Sequence, residues 1–376
     1  SIVYKRKRSY EQALKEDSKD YDTWWLYLDL IQENFPDELL EAFEKAVTGN
    51  QPVSLQKDIR WKRYIYLWIR YLVYMEIHKE DIESTRSLYK RLIKDVIPHK
   101  KFTFSKVWLM YSNFELRQGS LGSARKILGM SLGLCPKNKT FRKYIELEVK
   151  LKEFDRVRKL YEKYLEFNPT EVHKWIEYAE LEENLGDEDR SRGIYEISLS
   201  DDVGLSKSDK FQVLERYINF ETDSGEYSRA RDLYRRYLGL TEKNVKVWVN
   251  WALFESSVPT EQSIQQYQEA TNGYDEEEEF EFDITEENKQ NTRAIFEEAL
   301  DYFKQKSDTQ NRIIVLEAFR NYENVHGSLE DQEKIQKRMP TIVKKRKVDN
   351  GIEKEYIDYV FPDDISQESK PDASKF

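Results

Sequence analysis

A recurring aromatic–acidic–basic figure constrains this chain more than any other feature. In residues 174–199, KWIEYAELEENLGDEDRSRGIYEISL, the large residues Trp175, Tyr178 and Leu181 stand three apart, and Glu182 follows. That spacing lines them along one helical face. Gly186 is a helix stop, because glycine takes positive φ without steric cost. A second helical run then brings Arg192, Ile194 and Tyr195. The figure returns at Trp108, Tyr111, Phe114 and Glu115, with Arg125 after them, and at Phe141, Tyr144, Leu147 and Glu148, with Arg158. It returns again at Leu214, Tyr217, Phe220 and Glu221, with Arg231. Trp248, Trp251, Phe254 and Glu255 open a further unit whose second helix carries Arg293; Leu316, Phe319, Tyr322 and Glu323 open the last. Two early units are looser, with Ile31 and Met75 where the glutamate would stand.

The spacing is regular. Glu to Arg is 10 residues in four units (115 to 125, 148 to 158, 182 to 192, 221 to 231), and Tyr144 to Tyr178 is 34. A period near 34 of paired helices predicts an all-α fold, an α-solenoid of antiparallel helix pairs. One pair cannot bury its apolar face alone, so neighbours must stack, and the aromatics are the filling. Composition agrees: 35% of residues are charged, yet 14% are aromatic, whereas disordered chains are charged but poor in aromatics. The Glu–Arg sets (Glu115 and Arg125, Glu148 and Arg158, Glu182 and Arg192, Glu221 and Arg231, Glu255 and Arg293) are expected to meet across the turn within each unit. A charge-assisted contact there would fix how two helices pair.

The solenoid is expected over 1–340. Trp251 to Phe296 is 45 residues where 17 is usual, so an acidic, disordered-like insert is expected at about 259–290, around NGYDEEEEFEFDITEEN. It reads as a solvated spacer, or as a lure for a basic partner or a shield against stray RNA; replacing 262–288 should then leave the helices intact. Residues 341–376 read as a basic, then aromatic tail. Lys344, Lys345, Arg346 and Lys347 form a candidate nuclear import signal, with phosphate contact or a plain solvated tail as alternatives. Ile352, Tyr356 and Tyr359 share one face of a short helix expected to run up to Phe361. Tyr356, Tyr359 and Phe361 are candidates for docking a partner, with folding back to cap the array as the other reading.

Net charge is −10, which disfavours a nucleic-acid backbone as main partner. Cys135 is the one cysteine, so a disulfide framework is excluded. No apolar run approaches the roughly 18–20 residues of a membrane span. The four histidines, at 78, 99, 173 and 326, lack metal-ligand spacing. No Gly-rich phosphate loop or nucleophile elbow occurs. The expectation is a non-enzymatic protein with no cofactor, metal or small-molecule substrate. The chain opens inside a charged helical stretch, YKRKRSYEQALK, and reads as a fragment of a longer protein. Two classes of function compete, a protein–protein scaffold and an RNA-binding protein.

The pattern Trp-x-x-Tyr-x-x-Leu/Phe-Glu followed by Arg-x-x-Tyr-Glu resembles the HAT (half-a-tetratricopeptide) repeat. The stretches IPHKKFTFSKVWLMYSNFELRQGSLGSARKILGMSLGLCPKNKTF, FDRVRKLYEKYLEFNP and EYIDYVFPDD resemble the crooked-neck family of pre-mRNA splicing factors. The resemblance covers nearly the whole chain; the acidic insert and the absence of the family's N-terminal repeats depart from it. It implies a right-handed superhelical arch in the nucleus, a scaffold subunit of the spliceosome's Nineteen complex. The partners it implies are a second, longer HAT-repeat splicing factor and the Myb-domain subunit. RNA contact would be indirect or minor, and no membrane would be involved. The resemblance to the HAT repeat also implies 3′-end or ribosomal RNA processing for the RNA-binding reading, and it adds a homodimer of the polyadenylation type as a third.

Overall fold

The computed structural model describes residues 1–271 and 283–368. The chain divides into two compact units, 1–171 and 172–376. The first holds α1 (Ile2–Glu16), α2 (Tyr21–Asn34), α3 (Leu39–Val47), α4 (Ile59–Val73), α5 (Ile82–Arg91), α6 (Ser105–Arg117), α7 (Leu121–Leu134), α8 (Asn138–Lys150) and α9 (Phe154–Phe167). Single π-helical turns, Tyr74–His78 and Leu92–Val96, extend α4 and α5. Helices pack in consecutive pairs, α2 with α3, α4 with α5, α6 with α7 and α8 with α9. Each pair stacks on the next, as an α-solenoid requires. Asp20, Asp58 and Asp81 start α2, α4 and α5 by accepting backbone N–H bonds, which satisfies donors the first turn leaves open.

The second unit continues with α10 (Val172–Asn184), α11 (Glu188–Leu199), α12 (Lys207–Asp223), α13 (Tyr227–Leu240), α14 (Val245–Ser257), α15 (Glu261–Thr271), α16 (Glu286–Gln305), α17 (Thr309–His326) and α18 (Leu329–Arg338). Here α10 pairs with α11, α12 with α13, α14 with α16, and α17 with α18.

The aromatic figure joins pairs rather than closing each one. The second-helix ring of one pair stacks on a first-helix ring of the next. In the first unit Phe43 stacks on Tyr71 and Tyr89 on Tyr111, with centroids 5.1 and 4.8 Å apart. In the second unit Tyr195 stacks on Tyr217, Tyr234 on Trp251 and Phe296 on Phe319. Stacked rings bury large area and add roughly 0.5–1.5 kcal/mol per pair beyond it.

Two expectations are corrected. The flanks of the acidic insert are ordered: α15 occupies 261–271, and 286–290 is the first turn and a half of α16. Asn288 is buried and donates from Nδ2 to the carbonyls of Glu255 (2.9 Å) and Val258 (2.7 Å), while Thr260, Ser263 and Thr285 join in buried hydroxyl bonds. These groups end α14 and start α16, so 262–288 includes buried bonds as well as the acidic run. Residues 272–282, with most of the acidic run, lie outside the described residues.

The second correction concerns the tail. No helix runs up to Phe361; β1 (Thr341–Asp349) and β2 (Ile352–Val360) form an antiparallel hairpin, followed by α19 (Pro362–Glu368). Asn350 and Gly351 turn the chain at φ 53° and 77°. Positive φ at both central residues matches the strands' right-handed twist, and Asn-Gly supplies it at low cost. The β-branched and aromatic residues on either side favour the extended state.

Candidate interaction surfaces

The recurring glutamates Glu115, Glu148, Glu182 and Glu221 stand in the last turn of the first helix of their pairs. Each carbonyl accepts the N–H five residues on: Ser120 to Glu115 (2.9 Å), Glu153 to Glu148 (3.0 Å), Asp187 to Glu182 (2.9 Å) and Glu226 to Glu221 (2.8 Å). This is the C-terminal closure that wants a left-handed residue just past the helix. Gly119, Gly186 and Gly225 supply it, and Lys152 takes the same role at φ 57°. The glutamate side chains then turn inward and are buried.

Their arginine partner is not the one ten residues on. Arg125 Nε donates to Glu148 Oε1 at 2.9 Å, Arg192 Nε to Glu221 Oε1 at 2.8 Å, and Arg231 Nε to Glu255 Oε1 at 2.8 Å. Arg293 Nε likewise meets Glu323 Oε1 at 2.7 Å. Each arginine therefore reaches the glutamate of the following pair. The cation within the same turn is eight residues on: Arg156 Nε lies 3.7 Å from Glu148, Arg190 Nε 3.6 Å from Glu182 and Arg229 Nε 3.9 Å from Glu221. The reason is helical rotation. Two residues turn a side chain by about 200°, so position eight faces back to its own pair and position ten faces the next. Arg158 Nη1 meets Asp155 at 3.0 Å. Sequence reasoning missed Arg86, whose Nε donates to Glu115 Oε1 at 2.8 Å, and it left Glu323 without its arginine.

The clamps hold charge. The hydrogen bond to its glutamate raises the pKa of Arg125, Arg231 and Arg293 above the ordinary guanidinium value, against burial. At Arg192 burial is the largest cause and opposes the charge, and the bond to Glu221 together with the attraction of Glu221 and nearby Asp189 carries the net shift upward. At Glu221 burial is the larger cause and pushes the carboxyl up against the pull of Arg192. The two directions agree on one point: each partner is costly to bury alone. Such pairs fix orientation more than they add net stability.

The tail residues part company. Phe361 is 5% exposed within the second unit's core, with the Arg312 guanidinium 3.8 Å from its ring centroid. Asp364 accepts from Arg312 at 2.9 and 3.0 Å, and Asp363 from Arg338 at 3.0 Å. Phe361 is thus a cap on its own unit and not an exposed docking residue. Tyr359 packs partly buried beside it, whereas Tyr356 is exposed. In a strand the period is two, so Tyr356 and Tyr359 lie on opposite faces and do not form one stripe. The basic run is split likewise. Lys345 and Lys347 share a face with Tyr356, and Lys344 and Arg346 share the other with Ile342 and Tyr359. Lys345 pairs with Asp358 at 2.8 Å, and Arg346 lies 3.6 Å from Glu355.

A buried polar knot lies between α5 and α6. His99 Nε2 donates to the Ile93 carbonyl (2.9 Å), and the Thr103 hydroxyl donates to His99 Nδ1 (2.7 Å) while accepting from Trp108 Nε1 (3.1 Å). Burial holds the imidazole below its usual pKa. Cys135 is buried nearby, its Sγ 3.9 Å from Nδ1. Among the described residues no group of three or more His, Cys, Asp or Glu is placed to hold a metal ion. No described helix is long and apolar enough to cross a membrane.

Helix pairs stacked through aromatic rings and buried Glu–Arg clamps define a HAT-repeat solenoid, and comparison with known proteins agrees. The family model for the pre-mRNA-splicing factor Syf1/CNRKL1 N-terminal HAT repeat matches residues 6–170, and that for the PRP39 N-terminal HAT repeat matches 133–256. The chain is 52% identical over 377 residues to pre-mRNA-splicing factor CLF1 of Saccharomyces cerevisiae, covering 100% of the chain and 55% of that protein. To CLF1 of Eremothecium gossypii it is 53% identical over 381 residues, covering 100% and 56%. To clf1 of Aspergillus fumigatus it is 44% identical over 365 residues, covering 96% and 52%. The chain belongs to the crooked-neck family of HAT-repeat splicing factors. It spans about half the length of the curated relatives it matches.

Proposed function

We propose that the chain is a scaffolding part of a spliceosome protein, acting in nuclear pre-mRNA splicing by holding other proteins and carrying no catalysis of its own. The observation behind this reading is the likeness to the CLF1 splicing factors along the whole chain. The geometry fits it. Buried clamps at successive interfaces fix one pair against the next, which suits a protein whose task is to hold surfaces at set positions. The partners that fit are a second HAT-repeat protein and the Myb-domain subunit of a Nineteen-type complex, with Lys344, Lys345, Arg346 and Lys347 as the import signal.

The test is affinity purification of the tagged protein, with identification of bound proteins and RNAs across a salt series. The expected result is co-purification of splicing proteins that resists nuclease and moderate salt. Recovery of RNA alone, falling steeply with salt as phosphate contacts do, would overturn the scaffold reading.

A further inference from the structure

In the first unit, the outward faces of α6 and α8 border a groove of about 450 Å³. Its floor is apolar: Leu109, Met110, Leu116 and Leu147 are all half-buried. Its rim is cationic, formed by Lys106, Lys139, Lys143 and Lys150, all exposed. Glu146 is the one carboxylate of the lining, and it lies 3.4 Å from Lys143. Among the described residues no carboxylate comes within ion-pair distance of Lys106, Lys139 or Lys150. The cationic surface extends beyond the groove. Lys57 stands 4.5 Å from the centroid of the Phe104 ring; burial, then the nearby Lys137, Lys62 and Lys139, holds its ammonium below the usual range.

In a chain of net charge −10, Lys139 and Lys150 thus have no described carboxylate within ion-pair distance, and Lys143 has only the exposed Glu146. Lys106 rests over the Tyr66 ring, 5.0 Å from its centroid. This positive patch borders a half-buried apolar strip that no described residue fills. One kind of partner suits both. We propose that the α6–α8 groove is a docking site for an acidic amphipathic helix of a partner protein, its apolar stripe on Leu109, Met110, Leu116 and Leu147 and its carboxylates against the lysine rim. Lys139, Lys143 and Lys150 recur along one side of α8 over 11 residues. At 1.5 Å per residue that is about 16 Å, or three helical turns of partner. The rim is thus long enough for the i, i+3/i+4, i+7 anchors of helix-in-groove recognition. RNA fits less well. The lining holds no arginine fork, and the exposed ring at the rim, Tyr66, already has the Lys106 ammonium over it, whereas base readout relies on several open rings. The site concerns the first unit alone and stands whichever assembly the protein joins.

The test uses the purified 376-residue chain and a fluorescent 14-residue helical peptide with Leu at positions 1, 4, 8 and 11 and Glu on both flanks. Two controls are the same peptide with Lys for Glu, and a 14-nucleotide single-stranded RNA. The expected result is saturable binding of the acidic peptide, weakened at least tenfold in K139E/K143E/K150E. That variant should in turn gain binding of the lysine peptide, which shows that it is folded. No binding of the acidic peptide, binding indifferent to the charge reversal, or tighter binding of the RNA through the same lysines would each overturn the proposal.

Discussion

Arg192 Nε stands 2.8 Å from Oε1 of Glu221, a residue 29 positions on, in the next helix pair. Arg86, Arg125, Arg231 and Arg293 repeat the relationship at separations of 29, 23, 24 and 30 residues. The glutamate ends a first helix, its backbone closes the turn, and its buried side chain receives the neighbour's guanidinium. One residue thus serves both the pair it belongs to and the interface with the preceding pair.

The cap at the end of the second unit gives a contrast between two aromatic residues close in sequence. Phe361→Ala removes a buried ring and is expected to cost about 3–5 kcal/mol. Tyr356→Ala changes an exposed one and should stay within about 0.5 kcal/mol. Truncation after Asn350 removes Phe361 and Asp364 together and should lower the melting temperature. Unchanged melting of the truncated protein would contradict the cap.

Asn288 is expected to matter although it borders the acidic run. Its amide serves two carbonyls at the end of α14, and Asn288→Ala leaves both without that donor. The expected loss is about 1–3 kcal/mol in urea unfolding. A loss below a few tenths would show that water replaces the amide without cost.

Acid should loosen the cap in a defined window. The hydrogen bond from Arg312, opposed by burial, holds the Asp364 carboxyl below its usual pKa. A depressed folded value gives stability that is present above the unfolded value of about 3.9 and is lost as pH falls through the folded one. Below about pH 4 the native protein should therefore lose stability more steeply than Asp364→Asn. Parallel curves would rule out this linkage.

His99 sets a second window. Burial lowers its folded pKa, so its contribution is full above the unfolded value of about 6.5 and is lost as pH falls below it. Melting measured from pH 7.5 to 5 should fall with pH, and His99→Gln should flatten the fall. An unchanged slope in the variant would place the titration elsewhere.

The fold class was legible because helical periodicity is local: Trp108, Tyr111 and Phe114 announce a face without knowledge of what covers it. The residues of the clamps were legible for the same reason, but their partners were not. Spacing within a pair is ten in four units, whereas spacing to the next pair varies with loop length, so the constant distance pointed to the wrong partner. Arg86 carried a signal, Arg-x-x-Tyr ending at Tyr89, but its own pair has Met75 in place of glutamate. The hairpin was also signalled, by Asn350-Gly351 between runs of β-branched and aromatic residues; reading Ile352, Tyr356 and Tyr359 with a helical period hid it. The His99 knot was not legible, since it needs Ile93, Thr103 and Trp108 brought around one ring by tertiary packing.

The most direct measurement is a pair of double-mutant cycles on Arg192, read by equilibrium unfolding. With Glu221→Ala, each single change strands a buried charge, at roughly 3–5 kcal/mol for a fully buried one and less for the more exposed partner. The double variant should cost much less than the sum, a coupling of about 0.5–3 kcal/mol. With Glu182→Ala, ten residues before Arg192, the same cycle should be additive within about 0.5 kcal/mol. Coupling of Arg192 to Glu182, with none to Glu221, would contradict the clamp between successive pairs.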